Sequence, residues 1–93
     1  MSISDRITNK LNKQLSIFKL EVEDDSDKHA GHAGYIEGGE THFNITVISQ
    51  DFKGKGKVIR HKMIYKILQD EIEERIHALS IIALTPEEFK NKS

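Results

Sequence analysis

Two stretches of alternating hydrophobicity constrain the fold more than any other feature of the chain. Residues 17–23 and 41–49 place apolar and polar side chains in turn, which is typical of strands with one buried face. Phe18, Leu20, Val22, Phe43, Ile45 and Val47 are expected in the core, and His42, Asn44 and Thr46 on a face open to solvent or a partner. Residues 24–40 are glycine-rich and lack an apolar period. The pattern predicts an antiparallel pair joined by a long loop, and such loops are usually functional or mobile.

A third apolar stretch, residues 76–84, shows no polar alternation and predicts a strand that is buried on both faces. Residues 57–74, which precede it, have a helical apolar period, with Ile59, Met63, Ile64, Ile67 and Leu68 on the expected core face. Acids at the C-terminal end of this stretch oppose the helix dipole, so a break is expected near residue 70. A helical crossover places the third strand parallel to the second.

Two shorter helical signals complete the pattern. Residues 3–15 carry an apolar residue at every fourth position, and Ser2 or Ser4 is the expected N-cap. The motif "TPEEF" begins a last helix, with Thr85 as N-cap and Glu88 at the capping-box position. The order α-β-β-α(α)-β-α predicts an α+β fold with a three-stranded mixed sheet and helices on one face.

Composition excludes several classes of function. The 93 residues fit one domain, residues 1–93. The absence of cysteine excludes a disulfide, a thiol nucleophile and a thiolate metal site built from this chain alone. The serines lie in no recognisable nucleophile context, so we expect no enzymatic activity. No apolar run approaches about 18 residues and no signal-peptide pattern is present, so we expect no membrane association and a cytoplasmic protein, or a trimmed form in an organelle matrix.

The histidines are the candidate metal ligands. His29 and His32 lie in the near-repeat "HAGHAG" of the glycine-rich loop, where the spacing fits either polar loop residues or imidazole ligands for iron, zinc or copper. His77 begins the third predicted strand and is either a hydrogen-bonded residue at the edge of the core or a ligand. His42 and His61 have weaker claims and are interpreted as structural or interface residues.

A basic cluster precedes and enters the second predicted helix. Lys55, Lys57, Arg60 and Lys62 could contact phosphate, although a net charge of −1 gives no general attraction to nucleic acid. Gly54 and Gly56 are spaced Gly-x-Gly, which differs from the Gly-x-x-Gly loop with which KH domains grip a nucleic-acid backbone. The pattern therefore predicts at most weak DNA binding.

Five motifs, in order, resemble the BolA family across nearly the whole chain. They are "SDKHAGHAG"; "THFNITVIS" followed by Phe52-x-Gly54; "RHKMIY"; "IHALSI"; and "TPEEF". The fold of that family resembles the type II KH domain, αββααβ, which agrees with the order of elements derived above.

The resemblance implies a partner and a shared cofactor. BolA-like proteins pair with monothiol glutaredoxins that carry a Cys-Gly-Phe-Ser signature, and the pair holds a [2Fe–2S] cluster with glutathione. The family's C-terminal histidine ligand falls on His77, and its variable loop ligand falls on His29 or His32. The expectation is an iron–sulfur cluster assembly or trafficking adaptor that is monomeric alone, binds no cluster alone and is heterodimeric with its partner. The alternative is a KH-like, DNA-binding transcriptional regulator.

Overall fold

The computed structural model describes residues 2–25 and 41–91. The order of elements agrees with the prediction. The elements are α1 (Ile3–Gln14), β1 (Ile17–Asp24), β2 (His42–Ser49), a 3₁₀ turn (Gln50–Phe52), α2 (Lys57–Ile67), α3 (Gln69–Glu74), β3 (Ala78–Leu84) and α4 (Pro86–Asn91). No helix within these described residues is long and apolar enough to cross a membrane.

The three strands form one mixed sheet in the order β1-β2-β3. β1 pairs with β2 antiparallel, and β2 pairs with β3 parallel, with His42 opposite Ala78. Both pairings confirm the predicted topology. Because parallel strands begin at the same end of a sheet, the starts of β2 and β3 lie side by side, and β1 ends next to them.

The first strand contains a bulge that sequence alternation does not reveal. Ile17 pairs with Ser49, whereas Lys19 pairs with Ile48, so the register shifts across Phe18. Phe18 is consequently 58% exposed, and Ile17 packs against the core instead. The prediction that Phe18 lies in the core was therefore wrong, because an inserted residue resets the alternation of the strand.

The third strand is an edge strand, which corrects the prediction that it is buried on both faces. Within residues 2–25 and 41–91 it pairs only with β2, and its side chains alternate between exposed and half-buried positions. Leu79, Ile81 and Ala83 pack against the core, whereas Ile82 points away from it and is 49% exposed. An apolar run alone does not distinguish a covered face from an uncovered one.

The core lies between the sheet and the first three helices. The predicted stripe, Ile3, Ile7 and Leu11 of α1 and Leu15 directly after it, is buried against Phe43, Ile45 and Val47 of β2. Ser2 caps α1, since its Oγ accepts the N–H of Asp5 at 3.0 Å. The predicted amphipathic helix at the start of the chain and its N-cap are both confirmed.

The predicted break between α2 and α3 occurs at Leu68, whose φ and ψ of −99° and 15° interrupt the helix. The acids that would oppose the dipole of one long helix, Asp70 and Glu71, instead lie in the first turn of α3, where the dipole favours them. Ile64 and Leu68 are fully buried as expected. Ile59 was wrongly assigned to the core face, since it is 48% exposed at the start of α2.

Glu71 is a fully buried carboxylate that links α3 to α1. Its Oε2 lies 2.7 Å from Arg6 Nη2, and its Oε1 lies 2.9 Å from Lys10 Nζ. The hydrogen bond to Glu71 raises the pKa of Lys10 above its ordinary value. A buried charge persists only when it is paired, so these contacts bind the N-terminal helix to the crossover.

The last helix begins with the predicted capping box. The Glu88 N–H donates to Thr85 Oγ1 at 3.2 Å, and the Thr85 N–H donates to Glu88 Oε1 at 2.8 Å. Phe89, one residue on, contacts Phe18 with 6.5 Å between ring centroids, and the Lys19 ammonium lies over its ring. The short α4 therefore rests against β1 at the end of the sheet.

Arg60 is 9% exposed and joins α2 to both β3 and α4. Its Nη1 and Nη2 bond the two carboxylate oxygens of Glu88 at 2.6 and 3.1 Å. Its Nη1 also donates to the Ala83 carbonyl at 3.0 Å, and its Nε donates to the Lys55 carbonyl at 2.7 Å. These internal bonds remove Arg60 from the basic surface that the sequence predicted.

The ion pair makes Glu88 a source of pH-dependent stability. The Arg60 guanidinium lowers the pKa of Glu88 from 4.5 to about 2, and the Thr85 N–H contributes to the decrease. A carboxyl group with a lowered pKa in the folded state stabilises the fold above its unfolded pKa, and this contribution is lost as the pH falls through its folded pKa. We expect Glu88→Gln to be less stable than the wild type at about pH 6, and this difference to disappear towards about pH 2.

Urea unfolding midpoints measured across this pH range test the prediction. Glu87→Gln is the matched control, because it removes an exposed carboxylate from the same turn. A difference between wild type and Glu88→Gln that is the same at both ends of the range would contradict it.

Candidate metal centre

The end of the sheet where β2 and β3 begin is organised around Thr41. This residue is fully buried, and its carbonyl accepts two backbone N–H groups, from His77 at 2.7 Å and from Ala78 at 3.1 Å. These bonds hold the backbone of His77 against the residue that precedes β2. The parallel pairing of the two strands continues directly from this point.

His77 lies one residue before β3, in the short span between α3 and the strand. Ile76, immediately before it, is 6% exposed and belongs to the core, whereas the His77 side chain is exposed. The Ile76 N–H donates to the Glu71 carbonyl at 3.0 Å, so the segment is held from both sides. The structure therefore presents the His77 imidazole to solvent from a fixed backbone.

His42 lies beside His77, a juxtaposition that the sequence did not identify. The two rings are nearly parallel, with 18° between their planes and 6.4 Å between their centroids. His42 is half-buried, and its Nδ1 lies 2.8 Å from Thr41 Oγ1. The register of the parallel pair is the signal that points to this contact, because it places His42 opposite Ala78, one residue after His77.

Both ends of the segment between β1 and β2 meet at this site. The Asp25 N–H donates to the His42 carbonyl at 2.7 Å, directly before residues 26–40, and Thr41 follows them. His29 and His32 belong to that segment and lie outside the described residues. Their assignment as ligands stays a prediction.

The described part of the site contains imidazole groups that can bind a metal ion, but it has too few ligands to hold a metal ion by itself. No group of three or more histidine, aspartate or glutamate side chains in residues 2–25 and 41–91 is arranged to bind a metal ion. One exposed imidazole fits a site whose other ligands come from elsewhere. The donor set of this end of the sheet is therefore compatible with a shared cluster.

His61 and the predicted basic residues lie at the other end of β3. A groove of about 450 Å³ between the start of α2 and the last residues of β3 is lined by Lys55, Lys57, His61 and Ile82, among others. Lys62 is also exposed on α2. Since a strand rises about 3.3 Å per residue, this groove and His77 are separated by roughly 20 Å along β3. The metal and nucleic-acid hypotheses thus concern different surfaces.

Comparison with known proteins identifies relatives over most of the chain. A family model described as BolA-like protein matches residues 11–88. The chain is 52% identical over 87 residues to SufE-like protein 1, chloroplastic/mitochondrial, of Arabidopsis thaliana, a match that covers 89% of this chain and 24% of that protein. It is 39% identical over 90 residues to the DNA-binding transcriptional regulator BolA of Haemophilus influenzae, covering 97% of this chain and 84% of that protein.

The fold agrees with the sequence match. The solved BolA domain of SufE1 from Arabidopsis thaliana superposes with a TM-score of 0.85 and 51% sequence identity, covering 95% of this chain and 96% of that one. The chain spans about a quarter of the length of SufE-like protein 1 and nearly all of its BolA domain. Because the family model and these relatives cover most of the sequence, the chain belongs to the BolA-like protein family.

Proposed function

We propose that this chain is an adaptor for assembly or trafficking of iron–sulfur clusters, which pairs with a monothiol glutaredoxin and binds a [2Fe–2S] cluster between the two proteins. The observation that carries the proposal is the exposed His77 imidazole, held at the end of the sheet where Asp25 and Thr41 flank the segment that contains His29 and His32. Membership of the BolA-like family supports it. The chain acts as a binding partner in this proposal and catalyses no reaction.

The donor chemistry explains why a partner is needed. A [2Fe–2S] cluster is held by four ligands, most often thiolates, and this chain has no cysteine. The glutaredoxin cysteine and the glutathione thiol supply the two thiolates, and this chain supplies two imidazoles. Replacing thiolates with neutral imidazoles on one iron raises the reduction potential, as in Rieske centres. The chain would be monomeric without its partner and would form a heterodimer with it.

The two imidazoles have different roles in this arrangement. His77 is the fixed ligand, because Thr41 and the start of β3 hold its backbone. His29 is the adjustable ligand and His32 its alternative. His29 follows Asp25 by four residues, which limits the distance between their Cα atoms to at most about 14 Å. This division of roles suits a cluster that must be received from one protein and released to another.

DNA binding is a second candidate function, favoured by the basic groove. Lys55, Lys57 and Lys62 are exposed, and a relative from Haemophilus influenzae is described as a DNA-binding transcriptional regulator. Arg60 takes no part, because its guanidinium is engaged inside the protein. Either function is compatible with the bacterial cytoplasm or an organelle matrix.

One prediction of the proposed function concerns the cluster ligands. His77→Ala should abolish the distinctive visible absorption and circular dichroism of the mixed complex, because no other described imidazole is held in its place. His29→Ala should cause a smaller loss, since His32 can substitute, and the His29→Ala/His32→Ala double variant should match His77→Ala. The measurement is the spectrum of each variant reconstituted with a monothiol glutaredoxin, glutathione and iron.

His61→Ala is the matched control, because it removes an imidazole at the far end of β3. Its mixed complex should give the wild-type spectrum. The ligand assignment fails if His77→Ala also gives that spectrum.

A second prediction concerns the basic groove. Binding of double-stranded DNA should weaken steeply with salt, because phosphate contacts release counterions. Replacing Lys55, Lys57 and Lys62 with Gln should lower the log–log salt slope by roughly one unit for each lysine that contacts a phosphate. Fluorescence anisotropy titrations at several salt concentrations measure this slope.

Lys13→Gln serves as the charge control, since Lys13 is exposed in the last turn of α1. Its slope should equal that of the wild type. Tight binding that does not depend on salt, or an equal effect of Lys13→Gln, would show that the groove is not the DNA surface.

A further inference from the structure

Thr41 and His42 both contact the proposed ligand His77, and neither of them is an exposed residue. Thr41 is fully buried. Its carbonyl accepts the His77 N–H, and its hydroxyl is hydrogen-bonded to Nδ1 of the His42 ring. The His42 ring lies beside the His77 ring, and the His42 carbonyl accepts the N–H of Asp25, directly before residues 26–40. These two adjacent residues thus contact the proposed fixed ligand and the start of the segment that carries the adjustable one.

The separation of the two rings distinguishes a ligand from a supporting residue. Two imidazoles that bind one tetrahedral metal, with metal–nitrogen distances of about 2.0–2.1 Å, have ring centroids about 5 Å apart. The centroids of His42 and His77 are 6.4 Å apart, and their planes are nearly parallel. That distance lies within the range of paired aromatic rings. The arrangement fits ring-against-ring support better than shared coordination.

We infer that Thr41 and His42 are positioning residues for His77, an inference that rests on the proposed function. Thr41 fixes the His77 backbone through its carbonyl and the His42 ring through its hydroxyl. The His42 ring then restricts the orientations of the exposed His77 imidazole. Residues that orient a ligand in this way typically change metal affinity or activity by 10–100-fold when they are replaced.

The first test uses the cluster-free protein. Long-range ¹H–¹⁵N spectra of the histidine rings report the tautomer of His42 and the ring environment of His77. Thr41→Val, which keeps the shape and the carbonyl but removes the hydroxyl, should change the His42 tautomer equilibrium. His42→Ala should shift the His77 ring protons, because the neighbouring ring is lost. The matched control Thr41→Ser, which keeps a hydroxyl, should preserve the wild-type His42 signals.

The second test measures how long the mixed complex retains its cluster in the presence of a chelator. Thr41→Val and His42→Ala should shorten the half-life of the visible spectrum by about 10-fold. His42→Phe, which keeps a ring but has no nitrogen to bond the Thr41 hydroxyl, should shorten the half-life no more than Thr41→Val does. Thermal unfolding of each variant separates this effect from a loss of stability, and the comparison of Thr41→Val with Thr41→Ser remains informative if the former is less stable.

The results decide whether Thr41 and His42 position His77 or whether His42 is itself a ligand. If His42→Phe loses the spectrum as completely as His77→Ala, His42 is a ligand and the inference is overturned. Wild-type ring signals and wild-type cluster retention in both Thr41→Val and His42→Ala would also overturn it. If the wild-type chain forms no mixed complex, the proposed function fails, while the ring spectra of the cluster-free protein still show whether Thr41 and His42 orient His77.

Discussion

The parallel pairing of β2 with β3 is the constraint on which the rest of the structure depends. It requires a crossover, which α2 and α3 supply, and this crossover covers one face of the sheet together with α1. It also aligns the first residues of two strands that are far apart in sequence. This alignment, together with the hydrogen bond from the His77 N–H to the Thr41 carbonyl, brings His42 and His77 together, and the antiparallel β1 brings Asp25 to the same end.

Much of this architecture could be predicted because hydrophobic periodicity and capping chemistry are local signals. The stripe of α1, the alternation of β2 and the Thr85–Glu88 capping box are all readable within a few residues. The errors arose where a distant partner decides the environment. Phe18 leaves the core through a bulge, and β3 is half-exposed because none of the described helices and strands covers the face that carries Ile82.

The candidate site shows the same difference between local signals, which the sequence reveals, and contacts with distant residues, which it does not. Family motifs predict His77 as a ligand, which stays a prediction, but residue spacing gives no information on which side chain lies beside it, so the sequence gives His42 only a minor role. Arg60 was grouped with neighbouring lysines because its positive charge is visible in the sequence. Its true environment depends on Glu88 and the Ala83 carbonyl, both more than twenty positions later. Long-range contacts of this kind require the fold.

Glu71 gives the N-terminal helix an influence on a residue at the opposite end of the chain. Its side chain is held by Arg6 and Lys10 of α1, while its carbonyl accepts the N–H groups of Arg75 and Ile76, directly before His77. The packing of α1 against α3 and the position of the His77 imidazole are therefore linked through one residue, Glu71. Substitutions on the exposed side of the first helix would be tolerated as ordinary surface changes, whereas those at Arg6 and Lys10 would be transmitted across the molecule to the end of the sheet that carries His77.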